Sequence, residues 1–316
     1  MLRIYKTSGD ILTSFDAKSF KEQLTKAAGS SFICFDEPMS KHTTFEIGGP
    51  ADYFVSVCSE EQLIDVLQVC KAAGAPIYIL GNGSDLLVSD AGLRGVVIHF
   101  GEDFSAVAIE GNILTAQAGA TNKNVATAAC HAGLSGYEFA SGIPGSIGGA
   151  AIMNAGAYDG EFKDVAESVK CLTPDLEIVE IPAEQACWSY RHSMMSDKKY
   201  LVLSVKLCLH SSSTNEIQAR IDELQQRREE KQPLDMPSAG STFKRPQGYF
   251  AGPLIQESGM QGMSVGGAQV STKHAGFVVN TGNATAADVL GLIHKVQDAV
   301  FEHAGVHLEP EVRFWE

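Results

Sequence analysis

Residues 136–160 read GYEFASGIPGSIGGAAIMNAGAYDG, seven glycines in twenty-five residues with Pro144 as the only proline. Glycine lacks a Cβ, so the run Ser141-Gly142-Ile143-Pro144-Gly145-Ser146-Ile147-Gly148-Gly149 can adopt positive φ and bring main-chain N–H groups close to an anion such as a pyrophosphate. The same composition also suits a turn packed under a sheet. Both readings stand until the surrounding chain is considered.

A second glycine-rich loop precedes it. The apolar run 77–80 predicts a short strand that leads directly into Gly81-Asn82-Gly83-Ser84-Asp85-Leu86-Leu87. Residues 81–86 are GNGSDL, which is not G-x-G-x-x-G, and G-x-x-x-x-G-K-[ST] is absent, so a Rossmann cofactor site and a P-loop NTPase are disfavoured. Two separate loops offering backbone donors fit a dinucleotide better than a single phosphate.

Local signals mark the elements between and around these loops. Ser59 and Gln62 have capping-box spacing, with Leu63, Val66, Leu67 and Cys70 on one helical face up to Gly74. Residues 42–57 predict a strand interrupted at Gly48-Gly49-Pro50. Hairpins are predicted over 106–117 and 169–181, a strand over 200–209, and helices over 17–28, 122–131 and 215–231. Thr285 and Asp288 open a last helix with Val289, Leu292, Ile293, Val296 and Val300 on one face. Helices and strands mix without regular βαβ repetition, which argues for α+β layers.

Composition narrows the partners. The chain has 316 residues, is 44% hydrophobic and carries a net charge of −14, enough for more than one core. No run of Lys or Arg exceeds two residues, so nucleic acid and anionic membrane surfaces are not expected partners. The seven cysteines never form C-x-x-C and lie among apolar segments, which predicts reduced, buried thiols in a cytoplasmic protein. The first thirty residues lack the apolar core of a signal peptide, and no stretch reaches membrane-span length. With no H-E-x-x-H among the nine histidines, no metal site is expected. His274 and Phe277 read as core or turn residues.

Six ordered motifs carry a resemblance. They are Thr43-Thr44-Phe45-x-Ile47-Gly48-Gly49-Pro50-Ala51; Gly81-x-Gly83-Ser84-x-Leu86-Leu87; the 141–150 run with Met153-Asn154-Ala155-Gly156-Ala157-Tyr158; Tyr190-Arg191-x-Ser193; Ala239-Gly240-Ser241-x-Phe243-Lys244-Arg245-Pro246; and Leu308-Glu309-Pro310-Glu311-Val312-Arg313. From about residue 36 onward the chain resembles the UDP-N-acetylenolpyruvoylglucosamine reductase family. Asp85 stands where that family usually has Asn, and His192 where it often has Asp. The interval from Arg191 to Ser241 is short, as in the subclass lacking an inserted tyrosine-bearing loop.

The resemblance implies a two-subdomain FAD-binding fold of the vanillyl-alcohol-oxidase type plus a C-terminal α+β substrate-binding domain. The implied division is an extension over 1–30, flavin subdomains over 31–100 and 101–212, and a substrate domain over 213–316 whose last residues return to the flavin. FAD and NADPH are the implied cofactors. The residues implied to hold FAD are Gly81, Asn82, Gly83, Ser84, Asp85, Leu86, Ser141, Gly142, Ile143, Pro144, Gly145, Ser146, Ile147, Gly148, Ala151 and Arg313. Tyr190, Lys231 and Arg245 are implied to bind substrate. The chain is expected to act as a monomer on small molecules.

Reducing an enol ether that bears a carboxylate requires hydride at one carbon and a proton at its neighbour, through an enolate that gathers negative charge. By resemblance, the Arg191 fork holds the carboxylate, Ser241 supplies the proton and Glu311 assists the enolate. Glu311 would need its acid form for that, a state favoured by burial beside negative charge. Taken alone, Arg191 reads as a surface arginine, Ser241 as a turn residue and Glu311 as a solvated carboxylate. Two other functions remain open at this level: a related flavin oxidase or dehydrogenase of a sugar alcohol or lactone, and a non-enzymatic nucleotide-sugar binding protein.

Overall fold

The structure is a computed structural model that describes residues 17–316. The expectations for residues 1–16, the start of the extension, lie outside the described residues. The chain forms two compact units, each discontinuous in sequence. One comprises residues 17–35, Tyr53–Asn82 and Gly95–Gln226; the other comprises Asp36–Asp52, Gly83–Arg94 and Arg227–Glu316.

In the first unit, the strand Ile77–Leu80 pairs in parallel with Leu93–His99, Ile77 opposite Val96. The helix Glu60–Ala73, which precedes Ile77–Leu80 in the chain, is started by Ser59, whose hydroxyl accepts the Gln62 N–H at 3.1 Å, and stopped by Gly74 at φ 63°. Its buried face is Leu63, Val66, Leu67 and Cys70. The helix Ala17–Ala28 packs against it and buries Phe20, Leu24 and Ala28. Burying each such large apolar side chain stabilises by about 1.5–3 kcal/mol, so this segment is part of the unit's core.

A second, antiparallel sheet orders its strands Ile178–Pro182, Ala166–Leu172, Leu201–Cys208, Ile113–Gln117 and Val107–Glu110. Both predicted hairpins form, with Leu172 opposite Ile178 and Glu110 opposite Ile113. Asn122–His131 is helical, its Thr121 hydroxyl accepting the Asn124 N–H.

The second unit has its own core. Ser238–Ser241, Phe277–Asn280, Ala268–Val270 and Ser264–Val265 form an antiparallel sheet in that order. The helix Ala286–Ala304 covers it with Val289, Leu292, Ile293, Val296 and Val300, all buried. Thr285 and Asp288 close a reciprocal capping box at its start. Arg313–Trp315 pairs in parallel with Leu86–Val88, joining the C-terminus to the 81–87 loop region.

Three expectations need correction. Residues 42–49 are not a strand: pairing starts at Pro50, because Gly48 (φ 143°) and the turn before it break the extended run. The glycine-rich stretch contains a short helix, Ile147–Met153, and Ala251–Glu257 is a further helix. Only Cys70, Cys130 and Cys171 are buried, whereas Cys34, Cys58, Cys187 and Cys208 are exposed. All seven are free thiols, and burial pushes Cys70 and Cys171 up to about 12. The chain also contains one H-x-x-x-H spacing, His303 to His307. It spans the helix end at Gly305, and His307 stacks on Phe301 at 4.2 Å.

Candidate active site

Part of the 141–149 backbone is hydrogen-bonded within the chain and part is not. The N–H groups of Ser141, Ile143, Ile147 and Gly148 donate to Glu138, Ala140, Ala120 and Ala118 carbonyls. Those of Gly142, Gly145 and Gly149 meet no chain acceptor among the described residues, and Ser146 makes no side-chain cap to its helix. Gly148 is a packing glycine: a Cβ there would lie 2.8 Å from the Ala118 methyl. A Cβ on Gly81 would lie 2.3 Å from the Ser146 hydroxyl oxygen, so the 81 turn rests directly on this loop. The two readings are therefore both present, with glycines split between close packing and donors left available to an anion.

The same unit carries Tyr190 and Arg191. They are the central residues of a two-residue turn closed by Ser189 and His192, each N–H donating to the other's carbonyl, at 3.1 and 3.2 Å. Arg191 takes φ 56°, a strained choice for a side chain of its size. Its guanidinium lies 4.9 Å from the Tyr190 ring centre, and Tyr190 is half exposed. His192 meets Asp197 at 2.9 Å. Asn154, a residue with no role assigned from sequence, donates to the Ser189 carbonyl at 3.3 Å and to the Glu161 carboxylate at 2.9 Å. Hydrogen bonds from Lys163 and Asn154, with the Arg191 charge adding, hold the Glu161 carboxyl below the usual carboxylate range. Asn154 lies inside a quoted motif and Glu161 just beyond it, but only the fold brings both to the Arg191 turn.

In the second unit, Ser241 ends a strand and is exposed, with Gly240 before it at φ 73°. Beyond it the chain runs antiparallel to the C-terminal segment: Phe243 pairs with Pro310, Lys244 donates to the Glu309 carbonyl, and Glu311 donates to the Thr242 carbonyl at 2.8 Å. Ser241, at the end of its strand, and Glu311, in the C-terminal segment bonded beside it, are thus neighbours, and Glu311 is partly buried. Arg245 lies 4.0 Å over the Phe250 ring, and Lys231 is exposed at the end of the helix Thr214–Lys231. Gly83 adopts φ 61° against the His42 carbonyl, where any Cβ would collide at 2.1 Å. The Asp85 carboxylate meets Arg313 Nε at 3.5 Å, and its carbonyl accepts the Arg313 N–H at 2.8 Å. The Asp85 carboxylate, at the position where the family usually has Asn, therefore has a cationic partner of its own. Among the described residues, no group of three or more His, Cys, Asp or Glu could hold a metal ion.

Residues 51–182 match the family model described as FAD binding domain, and residues 232–315 match that of the UDP-N-acetylenolpyruvoylglucosamine reductase C-terminal domain. The curated UDP-N-acetylenolpyruvoylglucosamine reductase of Agathobacter rectalis is 49% identical, over 94% of this chain and 96% of its own. The chain belongs to the UDP-N-acetylenolpyruvoylglucosamine reductase family. A family member from Clostridium perfringens is 50% identical over 89% of this chain and 92% of its own. The crystal structure of the Thermus caldophilus reductase superposes with a TM-score of 0.78 at 36% identity, covering 90% of this chain and 98% of that one. A 4-ethylphenol oxidase from Gulosibacter chungangensis shares the fold alone, with a TM-score of 0.51 at 13% identity, over 96% of this chain and 66% of that one. The fold is thus the FAD-binding type of the vanillyl-alcohol oxidases with the reductase family's C-terminal domain. Arg191 and Lys231 fall between the two matched regions, whereas Ser241, Arg245, Glu311 and Arg313 lie inside the reductase match.

Proposed function

We infer that this chain reduces UDP-N-acetylglucosamine enolpyruvate to UDP-N-acetylmuramate with NADPH and bound FAD, a step of peptidoglycan precursor synthesis. The observation that carries this reading is the 49% identity to a curated reductase across nearly the whole of both chains. The loops fit the cofactor: the N–H groups of Gly142, Gly145 and Gly149 are available, and Gly81 lies on Ser146 with no room for a side chain. Residues 81–86, residues 141–148, Ala151 and Arg313 are the proposed flavin contacts. FAD, when bound, supplies the two-electron carrier between NADPH and the enol ether.

The chain's own residues do the rest. Arg191 binds the substrate carboxylate through its planar fork and stabilises the charge that develops on it. Ser241 donates a proton to the carbon next to the one that receives hydride, an enolate carbon being basic enough to take it from a hydroxyl within about 3 Å. Glu311, in its acid form, assists the same charge. Tyr190, Lys231 and Arg245 bind the nucleotide sugar, the cations offsetting its diphosphate.

The proposed division places the extension at 1–30, flavin subdomains at 31–100 and 101–212, and substrate binding at 213–316. We assign the enzyme to the cytoplasm and as a monomer; no helix among the described residues is long and apolar enough to cross a membrane. Purified protein should be yellow, and its NADPH oxidation should accelerate when UDP-N-acetylglucosamine enolpyruvate is added. A colourless preparation that releases no flavin on denaturation, or no acceleration by this substrate, would overturn the reading.

A further inference from the structure

Four of the ten non-glycine residues with positive φ among those described, Asn154, Tyr158, Asp159 and Arg191, lie on two segments, 154–161 and 189–192. Asn154 ties these segments together. It ends the helix Ile147–Met153 in the left-handed conformation at φ 43°, is 2% exposed, and uses its whole side-chain amide. Its oxygen accepts the Lys163 N–H at 3.0 Å, and its nitrogen donates to Glu161 and to the Ser189 carbonyl. The Glu161 end is reached through a hairpin in which Ala157 faces Gly160, with Tyr158 and Asp159 both left-handed at its tip. Strained backbone of this kind persists only where surrounding contacts over-determine it. Here those contacts converge on the turn that carries Arg191.

We propose that Asn154 and Glu161 are positioning residues that set the Arg191 guanidinium for the carboxylate of the substrate. The proposal rests on the reading of Arg191 as the carboxylate-binding group. Asn154 fixes the backbone of the turn by bonding the Ser189 carbonyl, the same oxygen that closes the turn with the His192 N–H. Glu161, anchored by Lys163 and Asn154, is the negative charge that the Asn154 side chain couples to the turn. Arg191 is half-buried, and a fixed turn backbone with a held carboxylate coupled to it narrows its rotamers further before substrate arrives. His192 cannot supply that negative charge, because an imidazole is neutral or cationic; its ring meets Asp197 instead.

The test compares two nucleotide sugars differing in the carboxylate: UDP-N-acetylmuramate, which has it, and UDP-N-acetylglucosamine, which does not. Affinity for each is measured by titration calorimetry on the holoprotein. Glu161→Gln should weaken UDP-N-acetylmuramate by about tenfold, the scale of one lost charge-assisted interaction, and leave UDP-N-acetylglucosamine unchanged. Asn154→Gly, which tolerates the left-handed backbone but lacks all three side-chain amide hydrogen bonds, should show the same selective loss. The variants are read independently, so failure of one to fold leaves the other decisive. Equal weakening of both ligands would reduce the pair to a structural role, and no weakening of either would also overturn the proposal. Arg191→Lys separates the two levels: if it keeps full preference for the carboxylate, the reading of Arg191 itself falls, whereas its selective loss with normal Glu161→Gln and Asn154→Gly discards only the positioning role.

Discussion

Glu311 donates its backbone N–H to the Thr242 carbonyl at 2.8 Å, and this bond aligns the strand carrying Ser241 with the C-terminal segment. The proposed proton donor and its acidic neighbour are therefore held by main chain, and a side-chain change at Ser241 leaves the alignment intact. Ser241→Ala should keep flavin reduction by NADPH at the wild-type rate and lower turnover of the enol ether by about 10²–10⁴-fold, the range of a lost general acid. Stopped-flow measurement of the two half-reactions checks this. Equal loss in both would remove Ser241 from the donor role.

Asp85 and Arg313 form a partly exposed ion pair at 3.5 Å, backed by a main-chain bond between the same residues. Exposed pairs of this kind contribute about 0–1 kcal/mol, and the main-chain bond survives substitution. Asp85→Asn should therefore change stability by less than about 1 kcal/mol, as read from the denaturant midpoint. Arg313→Ala should instead release flavin during gel filtration, if Arg313 contacts the cofactor as proposed. Flavin retained at full occupancy would argue against that contact.

Asp90 caps the last helix from far away in the sequence. Its two carboxylate oxygens accept the Ala286 and Ala287 N–H groups at 2.8 and 3.1 Å. Removing a carboxylate from a helix N-terminus costs about 0.5–2 kcal/mol. Asp90→Ala should lower the unfolding free energy by that amount, measured by urea titration, and Asp90→Asn should recover part of it.

His274 is half-buried, packs edge-on against Phe277 at 5.0 Å and accepts the Gly276 N–H at Nδ1, which places its proton on Nε2. Burial lowers its pKa below the ordinary 6.5. The fold therefore favours the neutral ring, so its contribution is complete above pH 6.5 and is lost as pH falls from there through the lower folded value. Because Gly276 also accepts the Thr242 N–H, the loss falls beside Ser241. The denaturant midpoint of wild type should drop on acidification below that pH more than that of His274→Asn. Parallel pH profiles would contradict the assignment.

The helices Glu60–Ala73, Asn122–His131 and Ala286–Ala304 and the hairpins at 110–113 and 172–178 were legible because their signals are local. A cap, a periodic face or a turn residue acts within a few positions of itself. The helix inside 136–160 was hidden by its glycines, poor helix formers whose use here depends on Ala118 and Ser146 lying close. The cysteines misled for a related reason: Cys34, Cys58, Cys187 and Cys208 lie among apolar residues in sequence but on the exposed side of the fold.

The sequence alone determined the family, through six motifs in order, and with it the fold class and cofactor chemistry. It did so because glycines that must approach other groups closely, and residues suited to anions and proton transfer, are residue-type requirements that a linear pattern records. Only the tertiary structure decided that Asp85 meets Arg313, that Asp90 caps a helix nearly two hundred residues away, and that Asn154 ties Glu161 to the turn that carries Arg191. Hydrogen bonds and ion pairs act over a few ångströms in space, and which residues come that close is set by how the strands and helices pack.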